Sequence, residues 1–300
     1  MSSFLDMYRL NLDEVKAVKE WDVCFIGSSS DERGKKAIEM CRNISHEIVV
    51  VSYNIDGQFL TFGGKVVQCH DLVKKLDAKS YGSVFFEATT LGVAELALLL
   101  NAYAPYKGLK ARVSYVEPGK YKRRDPSTSS DRDFQLSERL IGYEGIPTLA
   151  RELDTNTVNR VVFFVGFESA RLTRAFEEQP ISPSHSSLVF GVPPYKAGWE
   201  ANSYHNNIRC LSENDLKNRL YYCAADNPQA VIDKLEEIKG SLDEDEELFV
   251  APIGSKPHGI GATIFQSLHS ETVGLLYDHP VKSPNRSEGY GPLHFFDFPG

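Results

Sequence analysis

No apolar run in this sequence approaches the roughly 20 residues that a membrane-spanning helix needs. The start, Met1-Ser-Ser-Phe-Leu-Asp-Met-Tyr-Arg9, lacks the basic end and apolar stretch of a secretory signal. Both absences point to the cytoplasm and away from a membrane. Cysteine is sparse and scattered: Cys24, Cys41, Cys69, Cys210 and Cys223 contain no C-x-x-C pair. A disulfide framework or zinc site needs closer, convergent spacing, so reduced thiols and no metal are expected. Basic charge is short too. Lys and Arg number 33 against 41 Asp and Glu, a net charge of −8, which disfavours a general nucleic-acid surface. The one dense basic cluster, Tyr121-Lys-Arg-Arg124, reads as a solvated loop. Also missing are G-x-G-x-x-G, a Walker A loop, a G-x-S-x-G elbow, H-E-x-x-H, and H-x-E with C-x-x-C. Conventional dinucleotide and P-loop sites, serine hydrolases, zincins and zinc deaminases therefore lose support, and no cofactor is expected.

What the chain does hold is a pattern written twice. Asp22-Val-Cys-Phe-Ile-Gly-Ser-Ser-Ser-Asp-Glu-Arg33 is echoed by Arg160-Val-Val-Phe-Phe-Val-Gly-Phe-Glu-Ser-Ala-Arg171. His46 to Tyr53 is echoed by Ser187 to Tyr195, Val84 to Gly92 by Leu248 to Lys256, and Val113 to Pro118 by Gly274 to Pro280. Four blocks recur in one order. The apolar fraction of 42% suffices for a buried core, and 300 residues accommodate two domains of ordinary size. The expected fold is α/β: two tandem Rossmann-like units with largely parallel sheets, residues 1–134 and 135–300, related by a pseudo-twofold axis with a shared cleft.

Strands without alternation, such as Val23 to Ile26 and Ile48 to Val51, imply sheets covered on both faces. Alternating strand and helix patterns imply parallel crossovers. Leu5, Leu10, Leu12, Val15 and Val18 suggest a short N-terminal helix. A helix is expected to start near Asp31, others over Leu216 to Tyr222 and from Pro228 after Asn227. Residues 54–64 read as a loop or small hairpin, Pro118 as the end of a strand, and residues 118–133 as a mobile loop or linker. Leu293-His-Phe-Phe-Asp-Phe298 reads as a terminal strand or a segment packed on the partner unit.

In open parallel sheets, ligands bind beyond the carboxyl ends of strands, and four segments fit that place. Ser28, Ser29 and Ser30 after Gly27 offer backbone N–H groups, hydroxyls and a helix dipole to an anion. The alternative for them is simple capping. Gly166-Phe-Glu-Ser169 is their repeat partner. Arg33 and Arg171 fall one turn beyond each glycine, within reach of the same anion or exposed on the helix. Thr89 and Thr90 lie in the third segment, Glu87 to Gly92. Gly254, Ser255 and Lys256 form the sharpest turn, where Ser255 can donate and Lys256 adds a point charge. Gly259, Gly261 and Ala262 would let the following helix approach the sheet. His258 and His279, with Glu117 or Asp278, are candidate general acids or bases. Tyr195 and Trp199 are placed to stack on a planar base or to form a hydrophobic lid.

Gly254-Ser-Lys-Pro-His-Gly-Ile-Gly-Ala262 resembles the strand-to-helix turn of CRISPR-associated Rossmann-fold (CARF) sensor domains, and the duplication is similar to that of the SAVED sensors of antiphage signalling. The equivalent turn Thr89-Thr-Leu-Gly92 lacks the lysine, and no attached nuclease or protease is evident. The resemblance implies recognition of a signalling nucleotide, with an effector protein as partner. Read from the residues, the function is binding of an anionic small molecule, with an enzyme hydrolysing a nucleotide-like ligand or a non-catalytic subunit as alternatives.

Overall fold

The computed structural model describes residues 5–77, 79–103, 108–123, 134, 136–216 and 219–298. The chain divides into two compact units, one of residues 1–122 with 282–300, the other of residues 123–281. Both are mixed α/β, with seven α-helices among the described residues. None of those helices is long and apolar enough to cross a membrane.

The first unit contains β1 (Asp6–Leu10), β2 (Trp21–Ile26), α1 (Glu32–Ile44), β3 (Ser45–Asn54), β4 (Phe59–Phe62), β5 (Lys65–Gln68), α2 (Leu72–Asp77), β6 (Ser83–Glu87), α3 (Val93–Tyr103) and β7 (Lys110–Tyr121), and β15 (Ser287–Asp297) returns to it. Its eight-stranded sheet has the order β1-β15-β7-β6-β2-β3-β4-β5. The central strands β7, β6, β2 and β3 run parallel. The flanking pairs are antiparallel, so this sheet is less parallel than expected. Val23, Cys24, Phe25 and Ile26 are buried on both faces, as their unbroken apolar run requires. Asp31 caps α1 by accepting from the Gly34 N–H at 3.0 Å, and Ala37, Met40, Cys41 and Ile44 form its buried stripe.

Two local expectations fail here for the same reason. The N-terminal segment is largely strand, because Asp6–Leu10 pairs antiparallel with β15, Leu10 opposite Leu293, and only one 3-10 turn follows, at Leu12–Glu14. Pro118 does not end its strand. It sits opposite Tyr290 next to an irregularity between Tyr290 and Leu293, where a missing N–H costs little. The tail read with the second unit supplies a strand to the first. Residues 124–133 of the expected linker lie outside the described residues.

The second unit contains β8 (Ser137–Leu140), β9 (Val158–Phe164), α4 (Ser169–Glu178), β10 (Ser186–Gly191), α5 (Trp199–Glu213), β11 (Leu220–Cys223), α6 (Pro228–Lys239), β12 (Glu246–Pro252), α7 (Lys256–Leu268) and β13 (Val273–Leu275). The chain then returns through β14 (Pro280–Lys282). Its main sheet is wholly parallel, in the order β11-β10-β9-β12-β13. Asn227 caps α6 by accepting from Ala230 at 2.9 Å. The helix expected over Leu216 to Tyr222 is absent. Leu220–Cys223 is a strand paired with β10, and residues 217–218 lie outside the described residues. Gly261 lets α7 approach α6 rather than the sheet, since a Cβ there would lie 2.5 Å from the Pro228 carbonyl oxygen. All five cysteines are buried free thiols.

Candidate anion-binding site

In the first unit, β2 continues through α1 to β3 on one side and neighbours β6 on the other. The turns after β2 and β6 therefore meet where strand order reverses, the place at which parallel sheets open to ligands. The two turns touch closely. The Gly27 N–H donates to Thr90 Oγ1 at 2.9 Å, and a Cβ on Gly27 would lie 2.5 Å from the Thr90 carbonyl oxygen. The buried Glu87 carboxylate folds back to accept from the Thr89 N–H at 2.8 Å, the Thr90 N–H at 2.9 Å and the Thr90 hydroxyl at 2.5 Å. Thr89 Oγ1 accepts from the Val116 N–H at 2.9 Å. Both threonines thus hold the turn together from inside. Ser28 and Ser29 are exposed and Ser30 is half-buried, so the serine turn is what the edge presents.

Arg33 is neither an exposed helix residue nor an outward ligand contact; it is 2% exposed. Its guanidinium donates to the Tyr115 hydroxyl at 3.1 Å and the Val116 carbonyl at 3.2 Å, and pairs with Asp31 at 3.3 Å. Although burial opposes its charge, Tyr115, Tyr121 and Asp31 hold its pKa above the ordinary value. Burial would raise the Asp31 carboxyl, but Arg33, the Ser287 hydroxyl and the Gly34 N–H together pull it below its usual range. Glu117, read as an edge residue, lies within β7 with its carboxylate 3.3 Å from His294 Nε2.

Two cations that the sequence reading passed over complete this edge. The segment from Lys282 to Ser287 is anchored by the Asn285 N–H donating to the Ser30 carbonyl and by Ser287 Oγ donating to Asp31 at 2.7 Å. Lys282 Nζ donates to the Thr90 carbonyl at 2.7 Å. Burial of this ammonium, and after it the nearby Arg286, bring its pKa down to about 8, with Glu95 and Glu87 opposing. Arg286 is half-buried, and its Nε is buried without a hydrogen-bond partner. The only signal in the sequence was a Lys and an Arg four residues apart in the tail. Their convergence on the serine turn depends on β15 returning to the first sheet.

The second unit repeats the close approach of turns but fills it with internal bonds. A Cβ on Gly254 would lie 2.7 Å from the Val165 carbonyl oxygen, and one on Gly166 would lie 3.1 Å from the Gly254 Cα. Arg171 is buried and grips Asp278 through two bonds, Nε–Oδ2 at 2.7 Å and Nη2–Oδ1 at 2.5 Å, and also donates to the Ile253 carbonyl at 3.0 Å. Neither Arg171 nor Asp278 is therefore open to a ligand. Ser255 Oγ donates to the Ala225 carbonyl at 2.7 Å and caps α7 by accepting from the His258 N–H. Lys256 is half-buried at the first position of α7.

His258 is wholly buried, its Nε2 3.1 Å from the Ala224 carbonyl. Desolvation lowers its pKa to about 4. It is a neutral packing residue at neutral pH, edge-on to Phe164, and not a general base. His279 is buried with Nε2 3.0 Å from the Glu144 carbonyl. Trp199 packs edge-on against Phe167 at 5.6 Å and near Phe134 at 6.3 Å, as a hydrophobic lid would. Tyr195 is half-buried in the preceding loop. Ser203 and Asn207 of α5 both donate to the Gly166 carbonyl at 2.9 Å, closing that turn further. Among the described residues no group of three or more His, Cys, Asp or Glu is placed to hold a metal ion. The chain matches no protein-family model and no curated protein.

Proposed function

We propose that the protein binds an anionic small molecule, a nucleotide, at the carboxyl edge of the first unit's parallel strands. The observation that carries this reading is Arg286, a guanidinium without a side-chain hydrogen bond or ion pair among the described residues, set beside Lys282 and the exposed Ser28–Ser29 turn. A guanidinium with no side-chain hydrogen bond or ion pair among the described residues, near an Asp31 that is already bonded to Arg33 and Ser287, suits an acceptor-rich ligand at a strand-order reversal.

The finer fold reading, two copies of a Rossmann-like unit, draws support from three features. The strands carrying the four recurring blocks run in the order β3-β2-β6-β7 in one sheet and β10-β9-β12-β13 in the other. The second sheet follows the 3-2-1-4-5 order of nucleotide-binding α/β folds. Arg33 lies 5.6 Å from the Tyr115 ring centroid and Arg171 5.9 Å from that of Tyr277, equivalent residues making equivalent contacts. The nucleotide rests on this likeness and on the resemblance to CARF and SAVED sensors. An effector partner rests on the resemblance alone. An enzymatic reading is weaker, since His258, His279, Glu117 and Asp278 are each engaged in internal bonds.

The test is a binding panel of nucleoside mono-, di- and triphosphates and cyclic oligonucleotides against the wild-type protein and Ser29→Trp. Saturable binding of one class, weakened at least tenfold by the bulky side chain, is the expected result. A panel in which nothing binds, or in which Ser29→Trp binds as well as wild type, would overturn the reading.

A further inference from the structure

We infer that Lys282 and Arg286 form a subsite for a phosphoryl group, with Lys282 as a proton-dependent half of it. This deepens the proposed nucleotide reading and rests on it for the rest of the ligand.

The argument begins with where the neighbouring carboxylates point. Facing Lys282 are Glu87 at the end of β6, Glu95 on α3, Arg33 on α1 and Arg286 on its own segment, and Asp31 lies close to Arg33 and Arg286. By count these charges balance; by geometry they do not. Glu87 is spent on two backbone N–H groups and the Thr90 hydroxyl. Glu95 Oε1 accepts from the Tyr53 N–H at 2.9 Å. Asp31 is occupied by Gly34, Ser287 and Arg33. The only ion pair within 4.0 Å in this group is Asp31 with Arg33.

The donors of the two cations are correspondingly unspent. An ammonium has three N–H donors and a guanidinium five. Lys282 uses one on the Thr90 carbonyl, and Arg286 uses none among the described residues. A ligand group that fits must supply several acceptors and no donors. A phosphoryl group does so with three terminal oxygens, and arginine's planar fork matches two of them. Ser28 and Ser29 stand exposed on the adjoining turn, their hydroxyls available to the rest of the ligand.

The protonation of Lys282 then governs occupancy. Its pKa of about 8 means that the ammonium form falls roughly tenfold between pH 7 and pH 9. An anion seated on it favours the charged form and takes up a proton on binding above pH 8.

The experiment is equilibrium dialysis with radiolabelled inorganic sulfate, which remains a dianion throughout, at constant ionic strength from pH 6.5 to 9.5. Wild type should lose about tenfold in affinity from pH 7 to pH 9. Lys282→Met should bind weakly at every pH without that slope, and Lys282→Arg should retain binding at pH 9. Arg286→Gln should weaken binding at least tenfold at pH 7 and move the slope to higher pH, because the neighbouring charge that helps lower the Lys282 pKa is gone. Circular dichroism and melting curves establish that each variant is folded. Sulfate binding that survives both Lys282→Met and Arg286→Gln, or a pH slope that persists in Lys282→Met, would overturn the subsite. If nucleotides bind wild type but neither substitution alters their affinity, the nucleotide reading stands and the subsite falls. If sulfate binds as described and no nucleotide does, the subsite stands and the nucleotide reading falls.

Discussion

His258 illustrates how burial overrides a residue's chemical reputation. It lies in the first turn of α7 with no exposed surface, hydrogen-bonded to a backbone carbonyl. Desolvation lowers its folded pKa to about 4 from an ordinary 6.5. The unfolded chain therefore takes up a proton below pH 6.5 that the folded chain refuses until about pH 4. Stability is fully present above pH 6.5 and is lost as pH falls through that window, by at most ~3 kcal/mol from this group. Urea denaturation at pH 7 and pH 4.5 should show the loss in wild type and a shallower pH slope in His258→Leu. Equal slopes would mean that another group carries the acid sensitivity. Arg33 and Arg171 make the same point with charge. Both were visible as arginines one turn beyond a glycine, but only their surroundings revealed that Arg33 ties the start of α1 to Val116 within β7 and Arg171 ties the start of α4 to Ile253 just past β12.

At the scale of elements, the glycines at the strand ends carry the most specific information. Gly254 is required not for an unusual backbone conformation but for proximity, since its Cβ would sit 2.7 Å from one backbone oxygen and 2.8 Å from another. Backbone cannot swing aside as a flexible side chain can. Gly254→Ala should cost about 1–3 kcal/mol by overpacking, read as a lower denaturation midpoint with an unchanged slope. Substitution at Gly64, where a Cβ meets nothing within 4 Å although φ is +79°, tests backbone strain alone and separates the two causes. Elements whose signals are local were legible. The helix start near Asp31, the Asn227-Pro228 start and the buried β2 run all follow from neighbours in sequence. Asp6–Leu10 and Leu220–Cys223 were misread as helical because each pairs with a strand remote in sequence, Leu293–Asp297 for the first and Leu188–Gly191 for the second. Apolar spacing in so short a window fits a helix as well as an edge strand.

At the scale of the whole chain, the first unit depends on residues from both ends of the sequence. β15 is paired on one side with β1 and on the other with β7, and Arg112 of β7 is fastened to Asp297 by two bonds, one of 2.7 Å. Removing residues 283–300 should strip β1 of its partner, bare the edge of β7, and take Arg286 from the proposed site. Hydrogen exchange of the truncated protein should then show lost protection in β7 and β6, with β9 and β12 of the second unit still protected. Retained protection in β7 would mean that the remaining parallel strands suffice. The mixed strand and helix pattern, the parallel crossovers and the position of the serine turn at a strand end were determined by the sequence alone, because apolar runs, glycines and caps act over a few residues. Which polar groups remain available was decided only by tertiary structure. Thr89, Thr90, Ser255, Asp278 and Arg171 met partners from other segments and were used up, and Arg33 was buried with its guanidinium bonded through Nη1 and Nη2, while Lys282 and Arg286 were carried to the sheet edge by the returning tail. Side-chain availability is a sum over all neighbours in space, and most of those neighbours are remote in the chain.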